Sequence, residues 1–119
     1  MKTQQRIYAE KMLPHYLTCA EWADLPEDIE QGLDFSPCAE EIALADCMRF
    51  ASINWALIKE CSPEQVGHDF WLTRNYHGTG FWDRPEIYGG QENADRLTES
   101  AHSFGSRDVL KHNGRLIIE

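Results

Sequence analysis

Ser36-Pro37, followed by Glu40 and Glu41, fixes the start of a helix more firmly than any other signal in this 119-residue chain. Serine is a good N-cap. Proline at the first helical position gives up only an N–H that has no helical partner, and the two carboxylates sit near the positive end of the helix dipole. The spacing predicts a helix to about Glu60. At about 100° per residue, Leu44, Met48, Ala51, Trp55 and Ile58 form one apolar stripe, while Phe50, Ile53 and Leu57, with Ile42 alongside, form a second. Only Arg49, Ser52, Ala56 and Lys59 make an edge suited to water. A helix apolar on two sides is packed on two sides, either at the centre of the domain or against another subunit.

The other elements follow from punctuation. An N-terminal helix is expected over Gln4 to Ala23, with a kink or restart where Pro14 interrupts it. Asp24 to Asp34 reads as an acidic loop broken by Pro26 and Gly32. Ser62-Pro63-Glu64-Gln65 has the form of a capping box opening one short turn that Gly67 ends. Asp69–Arg74 and Phe81–Arg84 read as two strands of a β-hairpin joined through Gly78 and Gly80. A further helix from Asn93 or Asp95 to Phe104 aligns Ala94, Leu97 and Ala101, with Gly105 as its stop. Asn113-Gly114 is a strong hairpin turn between Asp108–Lys111 and Arg115–Ile118. The fold class expected is α+β in a single domain, residues 1–119: two N-terminal helices, a β-hairpin, a helix and a C-terminal β-hairpin, the strands forming a small, mostly antiparallel sheet. Residues 1–66 are the helical, acidic half and residues 67–119 the hairpin-helix-hairpin half.

Charge narrows the function classes. The formal net charge is −9, and residues 1–66 carry 12 acids against 5 Lys or Arg, whereas residues 67–119 carry 8 against 6. Lys11 and Arg49 are separated by an interval with no Lys or Arg, which holds Glu21, Asp24, Glu27, Asp28, Glu30, Asp34, Glu40, Glu41 and Asp46. Such a field repels phosphate and attracts a Lys/Arg-rich surface. Direct nucleic-acid binding is therefore not expected, although Trp71, Tyr76, Phe81 and Trp82 alternate with Arg74 and Arg84 as in a stacking platform. No apolar run spans a bilayer and the first residues lack a secretory core, so the expected location is cytoplasmic. Cys19, Cys38, Cys47 and Cys61 have no zinc-type spacing and are expected as free thiols.

His68, Asp69, His77 and Asp83 are ligand and acid–base residue types close in sequence, and three on one face would suffice for a hydrolytic metal centre. Adjacent strand residues point to opposite faces, however, which divides the set. No catalytic residue, metal or cofactor is assigned on this reading. Gly78-Thr79-Gly80 precedes no helix of the kind phosphate loops require, so it is read as turn geometry.

The run Phe70–Arg84, FWLTRNYHGTGFWDR, with Arg96–Gly105, RLTESAHSFG, and the terminal hairpin, resembles a family of small acidic proteins from bacteriophages and related mobile elements that share FWLTRN-x-HG-x-GFWDR. Tyr16–Trp22 and Ala45–Phe50 resemble the family's weaker upstream patches, so the similarity covers most of residues 16–118. The chain departs from the pattern over Pro85–Asn93 and in its longer N-terminal helix. The family has no established reaction. The resemblance implies an accessory protein acting in the cytoplasm of a bacterial host.

Taken together, these features predict a phage-encoded, non-enzymatic binding protein that antagonises a host nucleic-acid-binding or defence protein, of the anti-CRISPR or anti-restriction type. Its partner would be a host protein with a basic surface. The expected contact residues are an acidic patch of Asp24, Glu27, Asp28, Glu30, Asp34, Glu40 and Glu41, and a hairpin group of Arg74, Asn75, Tyr76, His77, Asp83 and Arg84. A phage homo-oligomer, such as a homodimer seamed along the Ser36–Glu60 helix, is the second reading, and a small metal-dependent hydrolase the third.

Overall fold

The computed structural model describes residues 1–119 and contains six helices and a two-stranded sheet. Helix α1 (Gln4–Asp24) begins at Thr3, whose hydroxyl accepts the Arg6 N–H. It runs on through Pro14 as one long helix, so the expected restart does not occur. Pro14 lies on the exposed side, while Tyr8, Ala9, Met12, Tyr16, Cys19 and Ala20 bury the opposite face. Packing along that face holds the helix together where proline removes one backbone bond.

Helix α2 (Pro37–Ile53) starts where the sequence places it, with the Ser36 hydroxyl accepting the Ala39 N–H at 3.0 Å. It ends earlier than expected. Asn54, itself buried, leaves the helical conformation, and its side-chain amide donates to the Phe50 carbonyl and to the Ser100 hydroxyl. A short turn, α3 (Trp55–Ile58), follows. The buried side of α2 is a single face of Ala39, Ala43, Asp46, Cys47, Phe50 and Ala51. The two apolar stripes expected are not two buried sides: Leu44, Met48 and Trp55 are half-buried and Ile53 is exposed.

The main departure is helix α4 (Pro63–Arg74), which occupies the span expected to hold the first strand of the motif hairpin. Ser62 does cap it, accepting the Gln65 N–H at 3.3 Å. Gly67 does not end it. A β-carbon on Gly67 would collide with the carbonyl oxygen of Met12, so this glycine lets α4 lie directly on α1. Every residue from Asp69 to Arg74 is buried, and a short segment buried all round has no polar face from which a helical period can be told from a strand's.

Phe81 to Arg84 is likewise irregular chain rather than a return strand. Phe81 reaches the core against Phe50 and Tyr88, and its N–H donates to the Thr73 hydroxyl. A one-turn helix, α5 (Pro85–Tyr88), leads through Gly89 and Gly90 to α6 (Gln91–Ser103), which buries Ala94, Leu97 and Ala101. The terminal hairpin forms as expected from β1 (Val109–His112) and β2 (Arg115–Ile118), paired antiparallel from Val109 opposite Ile118 to His112 opposite Arg115. Its turn residues have φ of 52° at Asn113 and 77° at Gly114, the pair of left-handed conformations a tight hairpin requires. The sheet has only these two strands.

One further contact shapes the acidic segment. Phe35 bridges in parallel to Leu116 of β2, with Ser36 N donating to Leu116 O at 2.8 Å and Leu116 N to Asp34 O at 2.9 Å. The loop between α1 and α2 is thereby tied to the C-terminal hairpin.

Candidate functional site

Arg74, in the middle of the Phe70–Arg84 run, turns inward, whereas Asp83 is exposed and Arg84 half-buried. Arg74 is 1% exposed, and its guanidinium donates to Asp46 Oδ2 (2.7 Å), the Tyr16 hydroxyl (3.0 Å), Gly105 O (2.8 Å) and Phe104 O (3.1 Å). Arg107 reaches the same Asp46 oxygen at 2.8 Å. Burial works to raise the Asp46 carboxyl, but the hydrogen bonds from Arg107 and Arg74 outweigh it and hold that group below its ordinary range. This network joins α1, α2, α4 and the chain after α6. Arg74 therefore has no free donor face to offer a partner, which corrects its assignment as a contact residue. Asp46, counted in the acidic interval, is equally enclosed.

A second network surrounds Asp69, which is fully buried. It accepts from the Tyr88 hydroxyl (2.6 Å), Arg84 Nε (3.1 Å) and Gln65 Nε2 (3.1 Å). Burial pushes the Tyr88 hydroxyl upward and the Asp69 carboxylate pushes it further, so it stays protonated and donates. A third centres on Asp24 at the end of α1, whose Oδ2 lies 2.6 Å from Trp71 Nε1 and 2.7 Å from His77 Nε2. Asp83 closes its own turn, accepting from Gly80 N (2.9 Å) and the Thr79 hydroxyl (3.0 Å). Asn75 accepts the Arg107 N–H and donates to the Trp71 carbonyl.

The four residues considered for a metal centre are thus divided among three places. Asp69 belongs to the Arg84–Tyr88 network with His68 Nδ1 3.5 Å from its Oδ1, His77 lies against Asp24 and Asp83 closes the Gly80 turn. Nowhere do three or more His, Cys, Asp or Glu side chains gather as a metal would need.

Of the expected hairpin contacts, Tyr76 remains plainly available. It is exposed, holds a left-handed φ of 57° and stacks on His102 with ring centroids 4.2 Å apart. With Trp82 and His77 it borders a cleft of about 210 Å³.

The acidic segment divides. Glu27 and Asp28 are exposed on the turn after α1, Asp34 is exposed beside the β2 bridge, and Glu40 and Glu41 are exposed on the first turns of α2. None of these five has a cationic partner within 4.0 Å, whereas Glu30 pairs with Lys111 at 2.7 Å and Asp24 is engaged as described. Trp22, in the last turn of α1, is 75% exposed. Its position carries part of the signal: at about 100° per residue Trp22 lies about 60° around the helix from Cys19 but about 160° from Ala20, at the margin of the buried face rather than within it.

No helix is long and apolar enough to cross a membrane. Comparison with family models, with curated proteins and with solved structures finds no match to this chain.

Proposed function

We propose that this chain is a phage-encoded, non-enzymatic binding protein that occupies a basic, nucleic-acid-binding surface of a host protein, antagonising it in the manner of an anti-CRISPR or anti-restriction factor. The observation that carries this reading is the cation-free interval between Lys11 and Arg49, in which Glu27, Asp28, Asp34, Glu40 and Glu41 stand exposed and unpaired. The tie between Phe35 and Leu116 supports it, because charges on an anchored loop present a fixed pattern rather than an averaged cloud. Within a Debye length of about 8 Å such a pattern steers association with a Lys/Arg-rich groove and competes with the phosphates that groove would otherwise hold.

The test is capture from a bacterial lysate on immobilised protein, followed by displacement with duplex DNA. A captured protein that binds nucleic acid, is released by DNA and is lost with the triple variant Glu27→Lys, Asp28→Lys, Glu41→Lys is the expected result. Capture indifferent to both the variant and DNA overturns the reading.

A further inference from the structure

The C-terminal turn of α1 and the loop after it enclose a groove of about 440 Å³, bordered by Glu21, Trp22, Leu25, Pro26, Glu27 and Ile29. The loop is held in shape by a turn in which Ile29 N donates to Pro26 O at 3.1 Å. Two features of this groove have no role in the fold. Trp22 leaves 75% of its surface in water, its one aromatic neighbour being His68 at a centroid distance of 6.3 Å. Large aromatics left uncovered next to apolar groups are characteristic of binding surfaces, where they act as anchors. Glu21 and Glu27 face the same space and neither has a cation within 4.0 Å, although Glu10, Glu30, Asp46 and Asp69 are all paired elsewhere.

We infer that this groove receives an arginine side chain of a basic protein partner, its guanidinium lying against the Trp22 indole and hydrogen-bonded to the carboxylates of Glu21 and Glu27. The inference rests on the acidic-surface reading above and names the contact that makes it selective. A planar guanidinium stacks on an indole and offers several donors to carboxylates at once. An ammonium is a compact, more strongly hydrated charge that does neither as well. Leu25, Pro26 and Ile29 supply apolar surface for the aliphatic part of the side chain.

The experiment is an NMR titration of the full chain with hexa-arginine and, separately, hexa-lysine at low salt, following the Trp22 indole N–H, assigned by its absence in Trp22→Phe. Hexa-arginine should shift that resonance and bind about tenfold more tightly than hexa-lysine. Trp22→Ala and the pair Glu21→Gln, Glu27→Gln should each remove that preference, while Glu40→Gln, Glu41→Gln retains it. Arginine binding unchanged by both groove variants, or equal binding of the two peptides, overturns the groove assignment and leaves the acidic surface standing. Binding of neither peptide overturns the acidic-surface reading itself, and the groove with it.

Discussion

Arg74 Nη1 lies 2.7 Å from Asp46 Oδ2, with the two side chains 1% and 7% exposed. A charge pair shut away from water is stable only while both partners and their remaining hydrogen bonds are present. Here those bonds run to Tyr16, Phe104 and Gly105, so one guanidinium ties together segments far apart in the chain. Arg74→Ala should therefore destabilise the protein by about 3–5 kcal/mol, as measured by urea denaturation. A loss below about 1 kcal/mol would show that the network is dispensable.

Acid should weaken the fold through the same carboxylate. The Asp46 carboxyl is held below its ordinary value in the folded protein. A group depressed in this way contributes stability that is fully present above its unfolded value, about 4, and is lost as pH falls through the lowered folded value. Denaturation midpoints should thus decline as pH drops below about 4, with a shallower decline in Asp46→Asn. Identical pH profiles for the two proteins would remove Asp46 from the acid response.

Gly67 permits close contact between two helices rather than ending one. Gly67→Ala places a β-carbon against the Met12 carbonyl and should cost about 1–3 kcal/mol by overpacking, despite alanine's better helix propensity. Thermal unfolding decides it: a melting temperature equal to or above that of the parent would mean that α1 and α4 can separate without cost.

Asp24 holds Trp71 and His77 with one carboxylate oxygen. Asp24→Ala should cost about 1.5–3 kcal/mol from the charged hydrogen bond to the indole and speed amide exchange over residues 76–80. Exchange unchanged in that segment would show that Asp24 does not restrain the loop.

Ser36 caps α2 through the Ala39 N–H. Ser36→Ala should cost about 1 kcal/mol in equilibrium denaturation, and Ser36→Asp should restore most of it. A full effect from both substitutions would place the loss elsewhere.

Local chemistry made the ends of elements legible. Ser36-Pro37, Ser62, Asn113-Gly114 and Gly105 act through bonds to residues two to four positions away, so the sequence alone contains the whole interaction. The Asp69–Arg74 segment was not legible, because a helix buried on all sides and a buried strand share an apolar composition and differ only in what surrounds them. The same limit governs the candidate site. The acidic interval from Asp24 to Glu41 can be read directly, since charge is a property of composition.

By itself, the sequence determined the extent of α1, the start of α2, the end of α6 and the terminal hairpin, and that the first half carries an excess of negative charge. Only the tertiary structure decided which charged groups remain outside. Arg74, Asp46 and Asp69 were drawn in by partners as many as 61 residues away in the chain, as Arg107 is from Asp46. Glu27 and Glu41, with no such partner, were left out. Burying a charge costs too much unless its partners converge around it, and that convergence belongs to the packed fold, not to any one segment.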